Sequence, residues 1–137
     1  MTESSTTRIA IDIGLVVVDM ERSLAFYRDQ LGLPVVAEIT TSLIGQGRMV
    51  QLQHGASLIK LVQMDEVPST QSPAGVAAAF GYRYITLMVA DIPKMMAQAT
   101  QGNTPIIQPL TTLGNGATIA MIADPDGNIV EFVQEAS

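Results

Sequence analysis

Ile13-Gly14-Leu15-Val16-Val17-Val18-Asp19-Met20 is answered 72 residues later by Ile85-Thr86-Leu87-Met88-Val89-Ala90-Asp91-Ile92, and an aspartate closes each apolar run. A second pair agrees in the same order. Leu58-Ile59-Lys60-Leu61-Val62-Gln63 is matched by Ile129-Val130-Glu131-Phe132-Val133-Gln134, 71 residues on. Two matches in almost one register mark an internal duplication, which settles the architecture before any local assignment does.

Each copy opens with a β-branched and aliphatic run of strand length, followed by an aspartate suited to cap a helix by accepting an orphan backbone N–H. In the first copy Met20, Leu24, Tyr27 and Leu31 recur at helical spacing and Gly32 supplies the stop. The second version runs from Ile92 to Gln101, with Pro93 in the first turn and Gly102 after the end. Strand-like segments follow: Val35 to Thr41, Arg48 to Gln53 and Ser57 to Gln63, then Ile106 to Leu110, Ala117 to Ala123 and Ile129 to Gln134. His54-Gly55 and Asp124-Pro125-Asp126-Gly127 carry the turn chemistry that makes the last pair in each copy a hairpin. The expected fold is α+β, two βαβββ modules in tandem. Module one spans 8–64, a Pro-, Ser-, Gly- and Ala-rich linker 65–80, and module two 81–134, together one domain over 8–134 behind a disordered tail at 1–7. Neither module buries a sheet face alone, so the two must pack together or against another chain.

Composition narrows the function. With 137 residues and 47% hydrophobic content the chain can bury one core. A net charge of −6 repels a phosphate backbone or an anionic membrane surface, so neither nucleic acid nor membrane is an expected partner. The absence of cysteine excludes disulfides, thiolate metal sites and a cysteine nucleophile, and fits a cytoplasmic protein. Met1 to Thr7 lacks the basic and apolar regions of a signal peptide, and no apolar run has the length of a membrane span.

Asp-Met-Glu-Arg-Ser-Leu-Ala-Phe-Tyr-Arg-Asp-Gln-Leu-Gly-Leu, Asp19 to Leu33, resembles the opening of the vicinal oxygen chelate superfamily: glyoxalase I, bleomycin-resistance proteins and extradiol dioxygenases. Asp124-Pro125-Asp126-Gly127-Asn128-Ile129-Val130-Glu131-Phe132 is similar to that family's final hairpin, and the likeness covers Arg8 to Gln134. The resemblance implies a curved mixed sheet with a concave groove for a small molecule, commonly a divalent metal on four residues, and a homodimer in which modules of different chains complete each sheet. The four implied positions are Asp12, Tyr84, Lys60 and Glu131. Only the two carboxylates keep ligand chemistry, and the Lys60 ammonium would repel a cation, so no metal cofactor is expected.

Strand phase independently groups the four. Ile11, Ile13, Leu15 and Val17 alternate with Asp12, Gly14 and Val16, and Tyr84, Thr86 and Met88 hold the same phase in the repeat. Lys60 and Glu131 are the polar members of apolar strands, where an ionisable group is paired or shifted. The set reads in two ways. As chemistry, Lys60 would hold charge on an enolate oxygen, Asp12 or Glu131 would act as base and Tyr84 would donate a hydrogen bond, with Val16, Thr86 and Met88 lining the substrate. As structure, Lys60 would form a salt bridge with Glu131 or Asp12 while Tyr84 packs. A Lys60 Schiff base is a third reading. The expected functions are accordingly a metal-independent isomerase or lyase, working by proton transfer on an apolar carbonyl compound, or a non-catalytic binder that sequesters a small molecule. Aromatic residues at 4% and no Trp leave little stacking surface for a planar drug, which favours the enzyme. His54 is expected as an exposed turn residue, and Asp19 and Asp91 as helix caps rather than acids.

Overall fold

The computed structural model describes residues 7–42 and 45–137. The expected tail at 1–7 falls, but for Thr7, outside the described residues. The chain runs β1 (Ile13–Val16), α1 (Met20–Leu24) extended by a π-helical segment (Ala25–Gln30), β2 (Val35–Thr41), β3 (Gly47–His54) and β4 (Ser57–Met64). It then repeats the order as β5 (Tyr84–Met88), α2 (Ile92–Ala99), β6 (Ile106–Thr112), β7 (Thr118–Ala123) and β8 (Ile129–Gln134). Each half makes a four-stranded mixed sheet of the same topology, β1-β4-β3-β2 and β5-β8-β7-β6, as the duplication requires. The first strand of each copy lies parallel to the last, with Gly14 opposite Lys60 and Thr86 opposite Glu131. The described residues form two sheets, β1 and β5 each an edge strand of its own, and both line one cleft.

Asp19 accepts from the Glu21 amide at 3.0 Å and Asp91 from that of Lys94 at 3.1 Å, so both aspartates cap helices. The repeat also keeps a glutamine at the end of the last strand for a physical reason. Gln63 Oε1 accepts from the Met20 amide at 2.6 Å and Gln134 Oε1 from the Ile92 amide at 2.8 Å, each satisfying an orphan donor of its own module's helix. The first helix departs from its expected single α-helical course. After Leu24 it widens, the Leu31 amide reaching back five residues to the Phe26 carbonyl at 2.9 Å. That widening turns consecutive aromatics inward: Phe26 is 2% and Tyr27 0% exposed, their rings meeting edge to face at 4.8 Å.

Both helices share one core with both sheets. Val17, Leu24, Leu52, Ile59 and Leu61 from the first module join Leu87, Ile92, Ile122, Val130 and Phe132 from the second in a single buried cluster. Polar contacts cross the same boundary. Gln30 Nε2 donates to the Ala99 and Gln101 carbonyls, and Gln98 Nε2 to that of Leu31. Within one chain, therefore, the modules already meet in one core. The linker between β4 and β5 is tied by Arg83, whose guanidinium donates to the Pro73, Gly75 and Val76 carbonyls. Among the described residues no helix is long and apolar enough to cross a membrane.

Candidate functional site

Strand alternation leaves one face of the sheets for a site. Ile59 and Leu61 of β4, like Val130 and Phe132 of β8, point into the helix-covered core. Lys60 and Glu131, between them, take the opposite, open face. On that face Lys60 is flanked by Gly14 and Gln51, and Glu131 by Thr86 and Met121.

At the seam of β1 and β5 lies a cleft of about 710 Å³, within the range that holds drug-sized molecules. Asp12, Tyr84, Thr86 and Met88 line it, so four of the residues singled out from the sequence come together there. Ile11, Leu58, Ile85 and Leu87 make its wall predominantly apolar. Lys60 and Glu131 are not among its lining residues, and Val16 lies at the other end of β1, in a separate cleft of about 490 Å³ beneath linker residues Val67 to Ser72.

Asp12 is fully engaged. The Arg8 guanidinium grips it with both nitrogens, at 2.6 Å to Oδ1 and 2.7 Å to Oδ2, and the Leu58 amide donates to Oδ1 at 2.8 Å. The Arg8 hydrogen bonds first, and then that amide, hold its carboxyl well below the usual carboxylate range. A carboxylate so stabilised is a poor proton acceptor. Lys60 Nζ lies 3.7 Å from Asp12 Oδ2, an ion pair longer than a hydrogen bond, and its side chain is 35% exposed. Of the two partners expected for its ion pair, Glu131 and Asp12, Lys60 sits by Asp12. Glu131 instead accepts from the Thr86 hydroxyl at 2.6 Å.

His54 stands at the β3–β4 hairpin, as expected, and also reaches the other module. It ends β3, and its Nε2 lies 2.9 Å from the Met88 carbonyl of the other module. Because a carbonyl only accepts, Nε2 carries the proton, and in the neutral ring Nδ1 is the acceptor. The ring also lines the cleft. No local pattern around His54-Gly55 reveals this, since the seam arises from packing one module on the other.

The four positions that the family likeness implied for a metal do not fit one. Both oxygens of Asp12 are taken by Arg8, an ammonium stands beside it, and a phenol replaces the imidazole at Tyr84. Among the described residues no group of three or more His, Cys, Asp or Glu side chains gathers to hold a metal ion.

Comparison with known proteins agrees with this architecture. The family model described as Glyoxalase/Bleomycin resistance protein/Dioxygenase superfamily matches residues 9–132. No curated protein matches the chain. Among solved structures, a glyoxalase family protein from Bacillus cereus superposes with a TM-score of 0.75 at 17% identity, covering 99% of this chain and 100% of that one. TioX from Micromonospora sp. ML1 gives 0.67 at 22% identity, covering 91% and 97%. The trypanothione-dependent glyoxalase I of Leishmania major gives 0.67 at 24%, covering 96% and 88%. At these identities the likeness establishes the fold alone.

Proposed function

From the premise that this chain belongs to the glyoxalase/bleomycin resistance protein/dioxygenase superfamily, we propose that it binds a small, largely apolar molecule, without a metal, in the cleft between β1 and β5. The observation that carries this reading is the pairing of Asp12, which lines an otherwise apolar cleft, with Arg8. It removes one of the two remaining ligand carboxylates from both metal binding and base catalysis. What is left to a ligand is an apolar wall, the Tyr84 and Thr86 hydroxyls and the free acceptor of His54. A few polar groups on an apolar surface orient a ligand without needing chemistry. This is the sequestering function that stood second in the sequence.

A catalytic reading keeps one specific support. Glu131, on the open face, takes part in no ion pair among the described residues, and its one hydrogen bond is from Thr86. In an isomerase- or lyase-type proton transfer Glu131 would be the base, Tyr84 the donor to a carbonyl oxygen, and Lys60 the cation opposing charge on an enolate. Asp12 would orient Lys60 rather than act on substrate. The working form is proposed to be a cytoplasmic homodimer, in which a partner would cover the fully exposed Phe80 ring.

Binding of the neutral apolar dye Nile red tests the cleft. Fluorescence should rise on binding to the wild type and fall at least tenfold in affinity in Met88→Arg, a partly exposed position whose substitution leaves the core intact. Equal binding by the variant would move the site elsewhere. Solvent deuterium exchange at the α-carbon of bound 2-oxo and 1,3-dicarbonyl compounds tests catalysis. Exchange accelerated by wild type and lost in Glu131→Gln, with binding retained, supports the enzyme; no acceleration leaves the binder.

A further inference from the structure

The cleft holds a carboxylate already dressed as a receptor for a planar cation. Leu58 N–H fixes Asp12 Oδ1 from the sheet at 2.8 Å, independently of Arg8. Arg8 then supplies the two-pronged contact that a guanidinium makes with a carboxylate, at 2.6 and 2.7 Å. Its own anchorage is slight. The Arg8 side chain is half exposed, adjoining Ile9 projects into solvent, and its other partner is the Ala56 carbonyl in the β3–β4 turn. The carboxylate belongs to the cleft wall, whereas the guanidinium comes from a surface segment.

We propose that Arg8 is a stand-in ligand: in the free protein its guanidinium occupies the Asp12 carboxylate that lines the cleft, and the molecule that binds there carries an amidinium or guanidinium head that displaces it. Tyr82 and Tyr84, on the facing wall, offer ring surface to the body of such a cation. The chain's net charge of −6 favours its approach. Lys60, 3.7 Å from Asp12 Oδ2, flanks the fork without entering it and limits the site to a head that matches both oxygens at once. A single-point ammonium would meet the Lys60 charge with only one strong contact in return.

The inference rests on the cleft being the ligand site, so its test carries a separate readout for that premise. Benzamidine and its neutral isostere benzamide are titrated calorimetrically into wild type, Arg8→Ala and Asp12→Asn, with Nile red binding measured on each. Wild type should prefer benzamidine about tenfold, as expected of a charge-assisted contact over a neutral one. Arg8→Ala should bind benzamidine about threefold more tightly, because an internal competitor of surface-ion-pair strength has gone. Asp12→Asn, which still accepts from Leu58 N–H, should lose the preference. Weaker or unchanged benzamidine binding in Arg8→Ala, or equal binding of benzamide by wild type, overturns the proposal. If Nile red binds in the cleft while those results are found, the ligand site stands and only its cationic character falls; if Nile red also fails, the site itself is refuted.

Discussion

The Tyr27 hydroxyl donates to Asp124 Oδ2 at 2.6 Å, joining the first helix of one module to the β7–β8 turn of the other across 97 residues. Both side chains are buried, and Asp124 also accepts from the Asp126 and Asn128 amides and from Asn128 Nδ2. The acidic turn is thus not merely a hairpin closure. It is a carboxylate satisfied from its own loop that gives its last lone pair to the neighbouring module, tying the two modules together.

Replacing Tyr27 by Phe should cost about 2 kcal/mol, the scale of a buried hydrogen bond to a charged group, seen as a lower urea midpoint with unchanged slope. The alkaline limb adds a signature. Burial, and then the Asp124 charge, push the Tyr27 hydroxyl well above its ordinary value. Above pH ~10 the unfolded tyrosine releases its proton while the folded one keeps it. Stability present below that pH should therefore fall as pH rises further. Tyr27→Phe should show a shallower alkaline decline than wild type; an identical slope would mean that Tyr27 does not titrate as a buried neutral phenol.

The duplication made the fold legible. Strand alternation, two capping aspartates and turn residues placed every element, because each is decided by neighbours in sequence. The π-helical widening at Ala25–Gln30 was not legible, since the spacing of Met20, Leu24, Tyr27 and Leu31 fits an ordinary helix and the choice is made by burying Phe26 beside Tyr27. Phase also put Asp12, Lys60, Tyr84 and Glu131 on one face. It could not say which ions would pair. Arg8 and Asp12, four residues apart, pair outside any helix or turn that the spacing could announce, and His54 meets Met88 only through module packing.

Asp12 should stay ionised in acid far enough to be followed by carbon NMR of its carboxyl. Its titration is expected below the ordinary range near pH ~3.9 in wild type and back toward that range in Arg8→Ala. Because the folded value is depressed, any stability from this contact is present above pH ~3.9 and is lost as pH falls toward the folded value. Salt should weaken the shift, as the pair is open to solvent. An unmoved titration in Arg8→Ala would assign the depression to Leu58 N–H and the Lys60 charge instead.

Lys60→Met should fold normally, with stability within about 1 kcal/mol of wild type, the range of a partly exposed ion pair. Asp12 keeps its Arg8 fork in that variant, so no carboxylate is left uncompensated. Urea titration decides the point. A loss of several kcal/mol would reveal Lys60 as a buried partner whose removal strands a charge, contrary to its 35% exposure and 3.7 Å separation.

Gly14 separates stability from binding most cleanly. It pairs with Lys60 in β1, lines the cleft with Tyr84, and a β-carbon built on it meets no atom within 4 Å. No positive φ demands glycine there, so its value lies in the space it leaves rather than in the backbone it permits. Leucine at this position should therefore fold, with a stability change of less than about 1 kcal/mol, because a strand gains from losing a glycine's conformational freedom while the new side chain stays unburied. It should nonetheless fill the cleft from its β1 wall and weaken Nile red binding at least tenfold. Gly14→Ala, much smaller, should bind nearly as wild type. Calorimetric binding beside thermal unfolding of both variants gives the answer: a Gly14→Leu protein that folds and binds unchanged would place the ligand away from the β1–β5 seam.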